Sequence, residues 1–492
     1  MEARARTEQG DLAGVEAEGI FSFLGIPYAA PPVGDRRWRP AAPPLSWEGT
    51  RDAKAFGPIA IQTVGAGFRL RETEQSEDCL TLNVWTGTLD GAAGRPVMVW
   101  IHGGGNLGGA GSEDAFDGAS LARRGVVLVT FNYRLGALGF LAHPTMGTNF
   151  AVTDWVAALR WVRANAVAFG GDSDNVTVFG ESAGAVAVRT LLSSPPARGL
   201  FHRAVIQSAG FEPYAFTPNW TYERTAGVAE TFFDRLSTRD PDELRCLPIA
   251  DVKLASHECS GIFPKAGHVH TPANLVWVAV PDGETVATDG FPGWPDEVPV
   301  MFGCLENEAR YFIKPGGSYP PGLLRNMAEQ LCGPRNGELM SLFEASGNTP
   351  YEALDRLFTT VIWHEPAMAS VKRFAALGRR FFYYHFARAA PGAVANGDLV
   401  RHSAEIRYVF GNLTDDGHYD DVDQVVSEGM QSAWIAFARD GIPRGPAGPW
   451  PAYAAPEPEM TWIGDAIETR PFEVAEVTAI VHSLREPSSR PT

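Results

Sequence analysis

Ser182 lies in the segment NVTVFGESAGAVAV, with Gly180 and Gly184 two positions away on either side. The pattern predicts a strand, a sharp turn and a helix, and such a turn exposes the serine hydroxyl. Side chains two residues away would collide with the crossing strand and helix, which favours glycine at both positions. The turn would also direct the amide of Ala183 into the space beside the hydroxyl. Ser182 is therefore the candidate nucleophile, and a tight turn with an incidental serine is the alternative.

Three consecutive glycines follow a predicted buried strand in WIHGGGNLGGAGS, residues 100–112. Without Cβ atoms, their N–H groups can come close to a ligand oxygen. Fixed donors of this kind stabilise the charged oxygen of a tetrahedral intermediate, each by roughly 2.7–4 kcal/mol. A phosphate-binding loop is the alternative, but no Gly-Lys-Ser/Thr follows and no acidic ribose-binding residue is evident. The segment is predicted to form part of an oxyanion hole.

A serine hydroxyl needs a histidine base, and the histidine needs a carboxylate. In a strand–elbow fold the chain order is serine, acid, histidine. Glu306 and Glu308 follow the apolar run VPVMFG, and spacing alone does not choose between them. His402 stands in a predicted loop before a helix and is the best-placed base. The remaining downstream histidines fall in a predicted helix, a strand, an acidic turn and the C-terminal tail: His364, His385, His418 and His482.

Short apolar runs alternate with helical patterns around these residues, which predicts an α/β fold with a mostly parallel sheet. The predicted strands are 96–101, 126–133, 176–179, 204–207, 298–303, 381–386 and 460–464. Residues 154–171 repeat apolar residues every three or four positions and end on Gly-Gly, which predicts an amphipathic helix with a glycine cap. A weaker pattern predicts an inserted cap at about 211–295, and residues 320–378 are predicted to be helical.

The charge and composition exclude several classes of protein. The net charge is −17 over 492 residues and no basic patch is visible, which disfavours a nucleic-acid partner. No apolar run reaches 18 residues, so no membrane span is predicted. The first residues lack the apolar stretch of a signal peptide, and the five scattered cysteines favour free thiols. A cytoplasmic protein is expected; secretion after removal of a signal is the alternative.

Several motifs in a fixed order resemble the type-B carboxylesterases, the cholinesterase-related branch of the α/β-hydrolase fold, and in particular the bacterial para-nitrobenzyl esterase type. The resemblance covers nearly the whole chain and implies a single catalytic domain over residues 1–492. The matching stretches are FLGIPYAAPPVGDRRWRP (23–40), EDCLTLNVW (77–85), VMVWIHGGG, FNYRLGALGFL, WVRANAVAFGGDSDNVTVFGESAGA and AWIAFARDGIP.

The resemblance implies roles for individual residues. The family acid lies five residues after the glycine that ends its strand, which corresponds to Glu308 and not to Glu306. The implied triad is Ser182, Glu308 and His402. The implied oxyanion-hole amides are those of Gly104, Gly105 and Ala183. A structural ion pair between Glu77 and Arg134 is also implied.

Departures from the family pattern concern the substrate pocket. Asn106 replaces the aromatic residue usual after the triple glycine, and we expect it to donate a hydrogen bond near the scissile group. Trp155 replaces a glutamine usual after the helix aspartate. Arg310, close to Glu308, is a further candidate for substrate binding and could favour an anionic substrate. The family often has a cysteine upstream of Cys79, and its absence here supports a reduced, bacterial form.

The expected reaction is hydrolysis of a small-molecule ester through an acyl-enzyme, by a monomer or homodimer. No metal or cofactor is expected, because His268 and His270 have no further ligands at metal spacing. A detoxifying esterase, a lactonase or an amidase acting on a larger substrate is one alternative. A non-catalytic adhesion module is the other, although such family members lose the nucleophile.

Overall fold

The computed structural model describes residues 1–63, 74–215, 220–262, 272–287, 298–317, 319, 322–454 and 458–485. Within this part of the chain, thirteen strands form one sheet and two short pairs lie outside it. In chain order the strands are β1 (Glu2–Thr7), β2 (Gly10–Ala17), β3 (Ile20–Pro27), β4 (Thr50–Asp52), β5 (Ile59–Ala60), β6 (Gln75–Ser76), β7 (Thr81–Thr86), β8 (Arg95–Ile101), β9 (Val127–Phe131), β10 (Gly171–Glu181), β11 (Arg203–Gln207), β12 (Val300–Leu305), β13 (Phe381–Phe386), β14 (Arg444–Gly445), β15 (Gly448–Pro449), β16 (Glu459–Ile463) and β17 (Ile467–Pro471).

The large sheet has a parallel centre and antiparallel edges. Its spatial order is β1-β2-β3-β7-β9-β8-β10-β11-β12-β13-β16-β17, with β4 paired to β2. The strands from β9 through β16 in that order pair in parallel. Antiparallel pairing joins β1, β2, β3, β7 and β9 on one side and β17 on the other. The predicted α/β fold with a mostly parallel sheet is confirmed.

Helices cover both faces of the sheet. They are α1 (Ala119–Arg123), α2 (Gly136–Phe140), α3 (Phe150–Asn165), α4 (Ala183–Leu192), α5 (Tyr222–Leu236), α6 (Pro241–Cys246), α7 (Ile249–Glu258), α8 (Leu323–Cys332), α9 (Asn336–Ala345), α10 (Pro350–Thr359), α11 (Glu365–Ala376), α12 (Pro391–Asn396), α13 (Ile406–Phe410), α14 (Asp421–Asp440) and α15 (Glu476–His482). A π-helical turn, Thr360–His364, joins α10 to α11. No helix in the described ranges is long and apolar enough to cross a membrane.

Strand β8 shows how the sheet divides the core into two layers. Successive side chains of a strand point to opposite faces. Val97, Val99 and Ile101 belong to the core layer that contains α3 and α4, whereas Met98 and Trp100 belong to the layer that contains α13 and α14. All five side chains are buried, which is why the strand is apolar on both faces.

Helix α3 begins four residues before its predicted start. The predicted apolar positions of this segment are buried, and the α-helix ends at Asn165, followed by a 3₁₀ turn over Ala166–Phe169. Gly170 then adopts a left-handed conformation with φ of 72°. A glycine reaches this conformation without the steric cost that a Cβ imposes, and it ends the helix as predicted.

The connections from β11 to β12 and from β12 to β13 contain helices α5 to α11. Helices α5, α6 and α7 fall within 211–295, and α8 to α11 fall within 320–378. Trp277 connects the segment 211–295 to the glycine loop after β8, because its carbonyl accepts from Asn106 Nδ2. Its indole N–H donates to Ser256 O within the same segment. That residues 211–295 act as a cap stays a prediction.

The expected ion pair between Glu77 and Arg134 is wrong. Arg134 instead forms a two-pronged salt bridge with Asp154 of α3, with N–O distances of 2.8 and 2.6 Å. Glu77 is held in the same way by Arg37, at 2.6 Å for both bonds. Each carboxylate therefore has its own bidentate guanidinium partner, and the two pairs come from different segments of the chain.

Candidate active site

Ser182 occupies the turn between β10 and α4. Its backbone has φ of 55° and ψ of −123°, a region that residues other than glycine rarely occupy. The turn is held because the N–H of Ser182 donates to the carbonyl of Gln207 at the end of β11, at 2.9 Å. The predicted strand–turn–helix is present, and the strained serine stands at the carboxyl edge of the parallel strands.

The two flanking glycines are required by close approaches of backbone. A Cβ on Gly184 would lie 1.9 Å from the carbonyl oxygen of Ile101, and a Cβ on Gly180 would lie 2.6 Å from the backbone of Gly184. Neither distance is tolerated by real side chains, and backbone cannot move aside as a flexible side chain can. The spacing of glycines around Ser182 is thus explained by packing of the elbow against β8.

We expect Gly184→Ala to destabilise the protein by about 3 kcal/mol or more, because its methyl group would overlap the backbone of β8. Gly227→Ala is the matched control, since nothing lies within 4 Å of the added methyl group in α5. That control should stabilise the protein by about 0.5–1 kcal/mol. The midpoint of urea unfolding measures both effects, and equal midpoints for the two variants would contradict the packing argument.

The glycine loop after β8 lies directly against the elbow. A Cβ on Gly103 would lie 2.8 Å from Glu181 O and 3.1 Å from Ser182 Cβ. Gly104 and Gly105 have φ of 105° and 64°. Within the described part of the chain, their amides donate no hydrogen bond. These amides are therefore candidates for binding an oxyanion.

Ala183 supplies the third candidate amide. It is the first residue of α4, so its N–H has no partner within the helix and lies at the positive end of the helix dipole. Gly104, Gly105 and Ala183 line the same cavity as Ser182. The structure thus brings together all three predicted oxyanion-hole residues.

Glu308 and His402 form a buried hydrogen-bonded pair. His402 Nδ1 lies 2.6 Å from Glu308 Oε2, and the His402 backbone N–H donates to Glu308 O at 3.3 Å. The other carboxylate oxygen of Glu308 accepts from the N–H of Leu305, at 2.9 Å. The side chain of Glu308 is fully buried and that of His402 is 4% exposed. Because Glu308 binds Nδ1, Nε2 is the ring nitrogen that can accept a proton from a substrate or a nucleophile.

Glu306, the other acid after β12, is directed to a different partner. Its Oε2 lies 2.6 Å from Nε2 of His385 in β13, and this contact lowers the pKa of Glu306 to about 2. The two glutamates are two residues apart, and each binds a different histidine. The geometry therefore distinguishes Glu308 from Glu306, which spacing alone does not.

In this structure, the hydrogen bond between His402 and the candidate nucleophile Ser182 is not formed. Ser182 and His402 both line the cavity, but His402 Nε2 forms no hydrogen bond with any described group. The nearest acid is Glu181, whose Oε1 lies 3.0 Å from Nε2 but outside hydrogen-bond alignment. In free enzymes, catalytic hydrogen bonds are often long or misaligned and tighten once substrate is bound.

Burial shifts the pKa of both members of the acid–base pair. It lowers the pKa of His402, with the Glu181 carboxylate opposing and the Arg401 guanidinium adding to this shift. It raises the pKa of Glu308, while the hydrogen bond from Leu305 favours the carboxylate. The neutral imidazole is therefore the resting form of His402 at neutral pH, as a general base requires.

We expect kcat/KM to fall as the pH drops through the pKa of His402, because protonation removes the base. Since burial lowers that pKa, half-maximal activity should lie below about pH 6.5, the ordinary value for histidine. A profile of kcat/KM against pH reports groups of the free enzyme and measures this limb. A loss of activity that is already half complete above pH 7 would contradict the shift.

Two further buried acids lie near the pair: Glu405, which the resemblance identifies as the acid of the His-x-x-Glu motif, and Glu181, which sequence reasoning missed. Glu181 accepts from Ser403 Oγ at 2.7 Å, and Glu405 accepts from Gln207 Nε2 at 3.2 Å. Burial raises the pKa of both to about 8. The sequence signal for Glu181 is its place beside Ser182, and that for Glu405 is the His-x-x-Glu spacing. Burial thus opposes the charged form of all three acids near His402, and at Glu308 the hydrogen bonds from Leu305 and His402 favour the carboxylate.

Aromatic rings enclose the imidazole on its other sides. Trp363 lies 5.2 Å from the His402 ring, Phe312 lies 5.6 Å away and Tyr311 lies 5.9 Å away, measured between centroids. Trp363 comes from the π-helical turn between α10 and α11, and its indole N–H donates to Ser208 O. This packing fixes the ring and excludes water from the bond to Glu308.

The candidate substrate-binding residues have different outcomes. Asn106 lines the cavity, but its Nδ2 donates to Trp277 O at 3.0 Å, so the predicted donation to a scissile group does not occur. Its Oδ1 is buried and has no hydrogen-bond partner among the described groups. Trp155 is buried in the core against Tyr133, so it does not shape the pocket.

Arg310 does not bind in the cavity, contrary to expectation. Its guanidinium donates to Asp355 Oδ2 at 2.7 Å and to Gly397 O at 2.8 Å, and it is absent from the cavity wall. The residue follows Glu308 in a 3₁₀ turn, so the two side chains point in different directions. His268 and His270 lie outside the described residues.

The cavity itself has a volume of about 990 Å³. This is the upper end of the range typical of sites for small organic ligands. No group of three or more His, Cys, Asp or Glu side chains in the described ranges is arranged to hold a metal ion. The arrangement suits covalent catalysis by a serine, with a histidine base and nearby amide donors.

Known proteins are similar to this chain in sequence and in structure. The carboxylesterase family model matches residues 2–321 and 338–474. Fumonisin B1 esterase from Sphingopyxis macrogoltabida is 35% identical over 91% of this chain and 84% of its own length. Para-nitrobenzyl esterase from Bacillus subtilis is 35% identical over 91% of this chain and 92% of its own length. A solved structure of PNB esterase superposes with a TM-score of 0.83 at 32% identity, covering 98% of this chain and all of that chain.

Proposed function

Since the chain belongs to the carboxylesterase family and is a carboxylic ester hydrolase, we propose that it works through Ser182 as nucleophile, His402 as general base and Glu308 as the acid that orients His402. The amides of Gly104, Gly105 and Ala183 form the oxyanion hole. No step of this reaction needs a metal or cofactor.

The proposed reaction has two halves. In the first, His402 Nε2 takes the proton from Ser182 Oγ while Oγ forms a bond to the ester carbonyl carbon, and the carbonyl oxygen becomes an oxyanion. The tetrahedral intermediate then expels the alcohol oxygen, which receives the proton from His402. In the second half, His402 deprotonates water, which attacks the acyl-enzyme. Collapse of this second intermediate breaks the bond to Oγ, releases the carboxylic acid and returns the proton to Ser182.

The observation that carries this proposal is the buried bond between His402 Nδ1 and Glu308 Oε2, 2.6 Å long, beside the strained turn at Ser182. A carboxylate on Nδ1 selects the tautomer whose Nε2 is unprotonated, and only that tautomer accepts a proton from a hydroxyl. A turn stabilised for purely structural reasons would not require a buried, paired histidine in the same cavity.

Hydrolysis of 4-nitrophenyl acetate tests the proposed acyl-enzyme. We expect a rapid burst of one 4-nitrophenol per enzyme, followed by slower steady turnover, because acylation precedes release of the acid. The matching anilide should react far more slowly, whereas an amidase would hydrolyse it at a comparable rate. Complete failure to hydrolyse either compound or any other short-chain ester would favour the adhesion-module alternative.

The proposal also covers the substrate, the location and the oligomeric state of the enzyme. A small-molecule ester is the proposed substrate, and the names of two relatives refer to a fumonisin B1 ester and to a para-nitrobenzyl ester. We place the protein in the cytoplasm, as a monomer or homodimer, and its five free cysteines support a reducing compartment. Recovery of the native protein from the culture medium would contradict this location.

A further inference from the structure

One wall of the cavity is a single face of α4. Ser182, Val186 and Arg189 all line the cavity. Residues spaced by three, four and seven positions lie on the same side of an α-helix. Arg189 lies seven residues after Ser182, which is nearly two turns or about 10 Å along the axis. The wall therefore presents, in order, the nucleophile, an apolar surface and a guanidinium group.

A second guanidinium group lies at the same end of the cavity. Arg373 of α11 lines the cavity and donates to Glu212 Oε1, at 2.9 Å. The backbone N–H of Glu212 donates to Ser370 Oγ, at 2.9 Å, which attaches the segment after β11 to α11. Arg373 and Glu212 are thus fixed relative to each other by two contacts.

Arg189, Arg373 and Glu212 form a cluster of charged side chains at this end of the cavity. Glu212 interacts electrostatically with Arg189, and Arg373 opposes the charge of Arg189. Burial lowers the pKa of Arg189 to about 10, so it remains a cation at neutral pH. In a partly buried site, an arginine pair of this kind is suited to a carboxylate, which accepts hydrogen bonds from both planar groups.

The end that contains the arginines corresponds to the acyl part of a bound ester. The leaving alcohol receives its proton from His402 and must lie next to that residue. Trp363, in the π-helical turn before α11, contacts His402. Arg373 lies eight residues after the first residue of α11, which is about 12 Å along that helix. The acyl group is attached to Ser182 and extends away from His402, past Val186. Its far end therefore approaches Arg189 and Arg373.

We propose that Arg189 and Arg373 form an anion subsite for a carboxylate at the far end of the acyl group, so that the enzyme accepts half-esters of dicarboxylic acids. Val186 provides the apolar contact for the intervening methylene groups. This inference rests on the proposed function, since it assigns the acyl side of the same site. The overall charge of −17 does not oppose it, because the two cations act locally within the cavity.

Two esters that differ only at the far end of the acyl chain test the subsite. Monoethyl glutarate ends in a carboxylate, whereas ethyl pentanoate ends in a methyl group. For the wild-type enzyme, kcat/KM for the glutarate ester should equal or exceed that for the pentanoate ester at low salt. The ratio should fall as sodium chloride increases, because ions screen the attraction. A ratio below one tenth at low salt would overturn the subsite.

Arginine variants locate the effect. Arg189→Gln and Arg373→Gln should each lower the ratio by roughly 10- to 100-fold, as expected for the loss of a charge-assisted hydrogen bond. Arg160→Gln is the matched control, because Arg160 is exposed on α3 and absent from the cavity wall, and its ratio should equal that of the wild type. Unchanged ratios in both cavity variants would overturn the proposal.

The two esters distinguish failure of the proposed function from failure of the subsite. Loss of activity on both esters in the wild type would contradict the proposed function, whereas normal activity on ethyl pentanoate with a low ratio would contradict only the subsite. Arg189→Lys and Arg373→Lys, which keep the charge, serve if the glutamine variants do not fold. Because they keep the positive charge, the lysine variants should keep the ratio of the two kcat/KM values close to that of the wild type. If no variant folds, the salt dependence of the wild-type ratio tests the subsite.

Discussion

Ser182→Ala is expected to lower kcat for 4-nitrophenyl acetate by about 10⁶-fold, the size of loss seen when a triad nucleophile is removed. The hydroxyl oxygen forms the covalent bond to the acyl group, and the remaining groups only bind and polarise the ester. Residual catalysis of about 10³- to 10⁴-fold over water should persist from the oxyanion hole. Steady-state assays with a burst measurement at high enzyme concentration detect both the loss and the absence of a burst.

Ser346→Ala is the matched control for this variant, because Ser346 is exposed at the end of α9 and far from the cavity wall. Its kcat should equal that of the wild type. The backbone at Ser182 is strained in both variants, so the fold is tested separately by urea unfolding. Ser182→Ala with a full burst would exclude Ser182 as the nucleophile.

Glu308→Gln should lower kcat by about 10⁴-fold, whereas Glu306→Gln should change it by less than about 3-fold. The glutamine amide can occupy the place of the carboxylate, but it donates to Nδ1 and so selects the tautomer in which Nε2 is protonated. That tautomer cannot accept a proton from Ser182. Glu306 contacts His385 instead, so its charge does not reach the reacting groups directly.

The two variants differ by two positions at the end of one strand, which makes each the control for the other. Rates for both are measured on the same ester at the same pH, together with unfolding midpoints. Equal losses would mean that the pairing of Glu308 with His402 is not the source of the effect. A larger loss for Glu306→Gln would move the acid role to the other glutamate.

The central strands could be predicted from the sequence because both of their faces are buried. The run 381–386 coincides with β13, and 96–101 lies within β8. The first strand, β1, was not predicted from its pattern. Its buried positions are Ala3, Ala5 and Thr7, and such small residues give little apolar alternation against the exposed residues between them. Its position depends on pairing with β2, a long-range contact that local pattern does not show.

The elbow was predictable for a different reason, namely that its geometry constrains three positions at once. Gly180 and Gly184 are needed because backbone approaches to within 2.6 and 1.9 Å of their missing Cβ atoms. The sequence does not show in the same way which charged side chains pair with each other. Arg134 binds Asp154 and not Glu77, and Arg310 binds Asp355 and not a substrate. A charged residue reveals its type in the sequence but not the direction of its side chain.

The subsite at Arg189 shows the same limit. The sequence shows that Arg189 follows Ser182 by seven residues, and this helical spacing places Arg189 on the cavity face of α4. The contribution of Arg373 comes from a helix more than 180 residues later, and only the fold brings it to the same end of the cavity. Arg310 was the more obvious candidate in the sequence because it stands near Glu308, but proximity along the chain did not become proximity to the cavity.

The most direct test of the central claim is the site and rate of covalent labelling by paraoxon, read by mass spectrometry of intact protein and of its peptides. We predict one diethylphosphoryl group per chain, on the peptide that contains Ser182, and labelling at least about 10³-fold slower in His402→Ala. A label on another residue while Ser182 stays unmodified, or an equal rate in His402→Ala, would show that Ser182 and His402 do not act together.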